Sequence, residues 1–179
     1  MPLRGEAQQR PTYRIDKRLS GGPATDDVYL AWHHVFKGPC VQKRVSVHGL
    51  EDALASSEPG FLNELDHPHI VEVREAQFDP DQDGAITFVM RYYEGGSIER
   101  ALLGGYRFSI YRAIDLTVQV VDALAYVLRE KGAIHRDIKP GNIVLDGERV
   151  NAFVSDFGSA STLGPDGAVA AVLGTDHYR

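Results

Sequence analysis

The chain has 179 residues, of which 43% are hydrophobic and 25% are charged, proportions that are usual for a globular domain. Its net charge of −6 disfavours a general role in nucleic-acid binding, and no apolar run approaches the roughly 20 residues of a membrane span. The single cysteine, Cys40, excludes an intrachain disulfide. This fits a reducing compartment, so we expect a cytoplasmic protein.

The first half of the chain has the pattern of strands joined by turns. Residue alternation and turn signals predict five strands, at 13–19, 28–32, 41–47, 70–78 and 85–92. The first two should form a hairpin, and the last two an antiparallel pair around the acidic turn 79–84. Residues 50–65 have helical spacing, which Pro59 interrupts. Residues 1–12 are expected to form a disordered tail.

The second half begins with a predicted flexible hinge at 94–96, followed by a long helix. Apolar residues recur every three or four positions along that helix, which predicts a buried face made of Ile110, Ile114, Val118, Val121, Ala125 and Leu128. Ser109 is the predicted N-cap and Gly132 the predicted C′ residue. Two short strands are predicted at 142–145 and 150–154.

Two short motifs follow the helix and carry the groups that phosphoryl transfer needs. The first, at 134–142, reads IHRDIKPGN, and the second, at 156–158, reads DFG. Together they supply a proton acceptor, a lysine that can face phosphate and two oxygen ligands for magnesium: Asp137, Lys139, Asn142 and Asp156. Either motif alone is weak evidence, whereas both motifs in this order and at this spacing predict a phosphoryl-transfer site.

These motifs, with YEGGS at 93–97, resemble the protein kinase family of the serine/threonine type, and its bacterial members in particular. The resemblance runs from about Tyr13 to Arg179. It implies an α+β, two-lobed kinase-like fold with a complete small β-rich lobe at 13–93. The large helical lobe, at 94–179, would be represented only by its first part and would end in the activation segment.

The resemblance also implies a role for each matching residue. Asp137 would be the catalytic base, and Lys139 would offset charge on the transferring phosphoryl group. Asn142 and Asp156 would hold Mg²⁺, and Lys43 would grip the α- and β-phosphates of ATP. The expected nucleotide-binding residues are Leu19, Gly21, Gly22, Val28, Lys43, Met90, Tyr93, Asn142 and Asp156.

Two glutamates compete as the acidic partner of Lys43. Counting back from the His-Pro pair at 67–68 selects Glu58 over Glu64. Pro59 follows Glu58 directly, and a proline inside a helix costs about 3 kcal/mol. The helix is therefore expected either to begin near Pro59, with Glu58 at its edge, or to kink there.

The glycine-rich loop departs most from the family pattern. Gly21, Pro23 and Asp26 occupy the three positions at which the family has glycine. Pro23 has no N–H to give to a phosphate, and Asp26 and Asp27 would put negative charge beside an anionic ligand. The pattern predicts weak ATP binding, a rearranged loop or a loop that needs a partner, and a plain hairpin turn is the alternative.

The chain from Asp156 to its end resembles an activation segment. Ser161 or Thr162 is the expected regulatory phosphosite, and its phosphate would pair with Arg136. Because the family's following Ala-Pro-Glu turn is missing, we expect an incomplete kinase domain. Apolar surface on the long helix would then make an isolated chain prone to aggregation.

The leading hypothesis is an enzyme that transfers the γ-phosphoryl group of ATP, with Mg²⁺, to Ser or Thr hydroxyls of a protein substrate. The alternative is a pseudokinase-like regulatory or binding module without catalysis. A small-molecule phosphotransferase on a similar fold is disfavoured by Arg136 and Lys139. Neither nucleic acid nor a membrane segment is expected.

Overall fold

The computed structural model describes residues 12–22, 25–46, 64–79 and 85–164. Three sequence predictions fall largely outside these ranges. They are the disordered tail, the interrupted helix that carries Glu58 and Pro59, and most of the acidic turn.

A five-stranded antiparallel sheet occupies the first half of the described chain, with the strand order β1-β2-β3-β5-β4. Its strands are β1 (Tyr13–Gly22), β2 (Thr25–His33), β3 (Gly38–Ser46), β4 (Val73–Asp79) and β5 (Ala85–Arg91). The five predicted strands and the antiparallel pairing of the last two are confirmed. β1 and β2 are longer than predicted because their pairing continues out to Gly22 and Thr25.

Strand β5 lies inside the sheet and is buried on both faces. Ile86 and Phe88 pack on one face with Val45 and Met90. Val89 packs on the other face with Ala31 and Cys40. Side chains alternate between the faces of a strand, so a central strand covered on both sides carries apolar residues on both faces.

The second half of the described chain is helical, with short strands. It comprises β6 (Gly96–Ser97), α1 (Ile98–Leu103), α2 (Ile110–Lys131), β7 (Ala133–Ile134), β8 (Ile143–Leu145), β9 (Ala152–Val154) and β10 (Ser161–Thr162). Strands β6, β8 and β9 form one small sheet, and β7 pairs with β10. Short 3-10 turns lie at Pro140–Asn142 and Phe157–Ser159. Strand β10 was not predicted.

Both predicted caps of the long helix α2 are confirmed. The Ser109 hydroxyl accepts a hydrogen bond from the Arg112 N–H, and Gly132 ends the helix in the left-handed conformation. Within the described chain, neither this helix nor α1 is both long and apolar enough to cross a membrane.

The predicted buried face of α2 is wrong. The helix buries a different stripe, made of Leu116, Val120, Ala123 and Val127. All six predicted residues are exposed, and the larger five range from 46% at Leu128 to 73% at Ile110. Both stripes have helical spacing, so periodicity could not choose between them. Packing against β7, β8 and β9 selects the buried one.

The segment 64–72 joins the first sheet to the helical part. Ile70 forms a parallel bridge with Val154, and the Val154 N–H donates to the His69 carbonyl at 2.8 Å. The Tyr126 hydroxyl of α2 accepts from the Asp66 N–H at 3.1 Å. These bonds fix the edge of the first sheet beside the end of β9, where the DFG motif begins.

Candidate active site

The loop between β7 and β8 brings together two predicted catalytic residues, Asp137 and Lys139, and the predicted metal ligand Asn142. Lys139 Nζ lies 2.6 Å from Asp137 Oδ2. Asn142 Nδ2 donates to the same Oδ2 and to the Asp137 carbonyl, each at 2.9 Å. The 3-10 turn that follows Lys139 brings Asn142 back to Asp137. The short loop therefore holds a carboxylate between a cation and an amide.

These contacts keep the Asp137 carboxyl ionised. Burial alone would raise its pKa, but hydrogen bonds from Lys139 and Asn142 outweigh burial, so the pKa lies below its usual range. The nearby charge of Lys139 acts in the same direction. An ionised carboxylate is the form that can accept a proton from a hydroxyl at neutral pH.

His135 links the two motifs, and the sequence analysis gave it no role. Its ring is buried and stacks at an angle on Phe157, with 4.6 Å between ring centroids. Nδ1 accepts from the Asp137 N–H at 3.3 Å, so Nε2–H donates to the Ser155 carbonyl at 2.9 Å. Burial lowers the pKa of His135, which favours this neutral tautomer. The sequence signal that could have revealed this role was the position of His135 directly before Arg136 and Asp137.

Ser155 is a second residue that the sequence analysis missed. Its N–H and its hydroxyl both donate to the Asn142 carbonyl, at 2.9 and 3.0 Å. The residue directly before the DFG motif is thereby fastened to the last residue of the catalytic loop. Asn142 and Asp156, the two predicted magnesium ligands, are held on neighbouring, hydrogen-bonded segments.

Lys43 reaches across from the first sheet to Asp156. Its Nζ lies 2.7 Å from Asp156 Oδ1, and the lysine side chain is 8% exposed. Asp156 has a φ of 63°, which is uncommon for a residue other than glycine and turns the chain sharply at the motif. The predicted partner Glu58 lies outside the described residues, so its pairing with Lys43 stays a prediction.

Register places several predicted nucleotide-binding residues on one face of the first sheet. Val28 lies opposite Lys43, and Met90 lies opposite Val41, two positions before Lys43. Directly opposed residues share a face, as do residues two apart on a strand. Val28, Lys43 and Met90 therefore share the face from which Lys43 reaches Asp156.

The other predicted nucleotide-binding residues lie at the two ends of that surface. Leu19 is half-buried beside an irregularity of the β1–β2 pairing, and Gly21 and Gly22 end β1. Tyr93 follows β5 and is buried, with its ring centroid 4.1 Å from that of Phe153. Its hydroxyl accepts from the Glu72 N–H at 3.4 Å.

The register shows on which face of the sheet the charge of Asp27 lies. Asp27 lies opposite Arg44 in the register, whereas its neighbour Val28 lies opposite Lys43. Its side chain is thus on the other face of the sheet from Lys43. The position of the Asp26 side chain lies outside the described part of the chain.

Gly95, within the predicted hinge at 94–96, lies too close to the backbone at 145–146 to carry a side chain. A Cβ on Gly95 would lie 2.1 Å from the Asp146 carbonyl oxygen and 2.8 Å from that of Leu145. The Gly95 N–H donates to the Leu145 carbonyl at 3.0 Å. The connection between the first sheet and the helical part is therefore pressed onto the end of β8.

The two predicted phosphosites differ in their accessibility. Ser161 is 8% exposed and lies in β10, opposite Ile134 of β7. Thr162 is exposed, as is Arg136, which has a φ of 70°. Of the two hydroxyls, only that of Thr162 is open to a modifying enzyme in this conformation.

The groups present suit a magnesium ion that is bound mostly through phosphate. In the described residues no group of three or more His, Cys, Asp and Glu side chains could hold a metal ion alone. Mg²⁺ beside phosphates usually takes only one or two protein carboxylates. Asn142 uses its amide nitrogen for Asp137, so its amide oxygen is the atom that would serve as the predicted metal ligand.

Comparison with known proteins identifies the class. Residues 16–179 match the family model for the protein kinase domain, so the chain belongs to the protein kinase family. The α+β kinase-like fold expected from the sequence is confirmed.

Similar proteins include named serine/threonine-protein kinases. The chain is 30% identical to nekl-2 of Caenorhabditis elegans, over 76% of this chain and 40% of that protein. It is 34% identical to PknJ of Mycobacterium tuberculosis, over 93% of this chain and 29% of that protein. It is 35% identical to a probable serine/threonine-protein kinase of Streptomyces coelicolor, over 64% of this chain and 17% of that protein. The chain spans less than half the length of each of these relatives.

Proposed function

We propose that the protein carrying this chain transfers the γ-phosphoryl group of ATP to Ser or Thr hydroxyls of a protein substrate. The observation that carries this proposal is the ionised Asp137 carboxylate, held between Lys139 and Asn142. It stands in a chain of the protein kinase family. The names of the similar serine/threonine-protein kinases support the choice of acceptor.

Asp137 is proposed to orient the substrate hydroxyl and accept its proton. Its Oδ2 is engaged by Lys139 and Asn142, so we assign Oδ1 as the acceptor atom. Lys139 lies close enough to offset negative charge that develops on the transferring group. Asn142 keeps the carboxylate in one orientation, which lowers the entropic cost of reaching the reactive geometry.

ATP and Mg²⁺ are the proposed cofactors, as is general in the family. Asn142 and Asp156 would hold the ion, which would neutralise charge on the phosphates when bound. Lys43 lies beside Asp156, so a cation for the phosphates and a carboxylate for the metal are adjacent. The remaining proposed nucleotide-binding residues are Leu19, Gly21, Gly22, Val28, Met90 and Tyr93. Dependence on ATP and the single free cysteine support a cytoplasmic location.

The test is phosphoryl transfer by the full-length protein that carries this chain, with radiolabelled ATP and Mg²⁺. Asp137→Asn should abolish transfer because the amide cannot accept the proton. Asp115→Asn, on the exposed side of α2, is the matched control and should leave transfer unchanged. Equal transfer by wild type and Asp137→Asn would overturn the proposal.

A binding module without catalysis is the second candidate. It is favoured by Pro23 and Asp26, which stand where the family has glycines that contact phosphate. Magnesium-dependent stabilisation by ATP in a thermal shift, combined with no transfer to any of a panel of Ser and Thr peptides, would support it. Transfer that Asp137→Asn removes would exclude it.

A further inference from the structure

We propose that Arg18, Asp27 and Tyr29 form a cross-strand clamp on the outer face of the β1–β2 hairpin, and that this clamp positions the hairpin over the nucleotide. The clamp residues are positioning residues, and the inference rests on the proposed function because it assigns the inner face of the same hairpin to ATP.

The contacts join both strands through a single carboxylate. Arg18 of β1 donates from Nη2 to Asp27 Oδ1, forming an ion pair across the hairpin. Tyr29 of β2 donates from its hydroxyl to Asp27 Oδ2 at 3.1 Å. Each carboxylate oxygen therefore has its own donor, and one donor comes from each strand. The hydrogen bond from Arg18, with help from Tyr29 and the charge of Arg44, lowers the pKa of Asp27.

The clamp stands on the face opposite the proposed nucleotide site. Arg18 lies opposite Tyr29, and Asp27 lies opposite Arg44. Val28, between Asp27 and Tyr29, lies opposite Lys43 on the other face. The clamp can therefore influence a nucleotide only through the backbone of the two strands.

The clamp lies beside two of the three register shifts in the described pairing of β1 with β2, the third being between Ile15 and Lys17. The β1–β2 register shifts between Arg18 and Ser20, and again between Ser20 and Gly22. Such irregularities interrupt the ladder of main-chain hydrogen bonds. The Arg18–Asp27 contact spans this interrupted stretch, where side-chain contacts are needed to hold the strands in register.

The expected effect is modest because the clamp is solvent-exposed. Exposed ion pairs change equilibria by factors of about two to five, and salt screens them. Asp27→Asn should therefore raise the KM for ATP about two- to fivefold while leaving kcat unchanged. Amide hydrogen exchange in β1 and β2 of the nucleotide-free protein should accelerate by a similar factor.

A double-mutant cycle tests the contact itself. Asp27→Asn, Arg18→Gln and the double variant are compared by KM, kcat, amide exchange and thermal unfolding. If the clamp exists, the double variant is no worse than either single variant, and Arg18→Lys retains part of the effect. Arg14→Gln is the matched control, since it removes an exposed ion pair with Asp16 within β1. It should leave KM and β1–β2 exchange unchanged.

The outcomes separate the two proposals. Additive effects in the double variant, or unchanged exchange and KM in Asp27→Asn, would overturn the clamp. If the wild-type protein binds no ATP and transfers no phosphate, the proposed function fails. Hydrogen exchange without nucleotide would in that case still decide whether the clamp holds the hairpin.

Discussion

The two sides of the candidate site are built differently. The catalytic loop and the DFG motif carry the residues that the resemblance to the kinase family predicts, and hydrogen bonds of His135 and Asn142 with Ser155 tie them together. The β1–β2 hairpin departs from the family pattern and is held by exposed contacts around Asp27. Proton transfer needs particular side chains in one geometry, whereas a backbone surface for a nucleotide tolerates substitution if strand pairing survives.

After the loss of transfer in Asp137→Asn, the largest expected effect comes from removing the Asn142 amide. Asn142→Ala should lower kcat about 10²- to 10³-fold, because it loses both the orientation of Asp137 and a proposed metal ligand. It also removes a hydrogen bond that lowers the pKa of Asp137. The acid limb of the kcat/KM profile should therefore move to higher pH. A pH profile identical to the wild type would show that the amide does not tune this carboxylate.

The next largest effect is expected at Gly95, in the connection between the first sheet and the helical part. Gly95→Ala should destabilise the protein by about 1–3 kcal/mol, since its Cβ would collide with the Asp146 carbonyl. Gly38→Ala is the control, because its Cβ would meet only the Phe36 carbonyl, at an ordinary 3.9 Å. Chemical denaturation measures both. Equal stability of the two variants would refute close packing at 95.

The two apolar faces of α2 offer an internal contrast. Val127→Ala should cost about 2 kcal/mol in free energy of unfolding, because Val127 is 1% exposed and its removal leaves a cavity. Val121→Ala, on the exposed face, should change the free energy of unfolding of this chain by less than about 0.5 kcal/mol. A larger loss for Val121→Ala would mean that the exposed face is covered in solution.

The smallest expected change is in the pH dependence of stability. Burial lowers the pKa of His135 from its ordinary value of 6.5. As the pH falls below 6.5, the histidine is therefore protonated in the unfolded chain before it is protonated in the folded protein. The contribution of His135 to the free energy of unfolding is fully present above pH 6.5. It is lost as the pH falls through the pKa that His135 has in the folded protein. His135→Gln should flatten this loss, whereas His34→Gln, at an exposed position, should not. Urea denaturation between pH 7 and 5 measures the difference.

Local patterns in the sequence were sufficient for much of the fold. Alternation located the strands of the first sheet, and Ser109 and Gly132 marked the ends of α2 because capping depends on neighbouring residues only. Strand β10 was missed because two residues paired with Ala133 and Ile134 leave no period to detect.

The same distinction applies to the candidate site. Asp137, Lys139 and Asn142 were found because they lie within six consecutive residues, and the DFG motif was found by its order and distance along the chain. Only the tertiary structure decided that Lys43 lies beside Asp156, that His135 joins the two motifs and that Asp27 faces away from Lys43. Each of these depends on strand register or on packing between distant segments, which local sequence does not specify. The sequence by itself determined which chemical groups are present, and packing determined which of them meet.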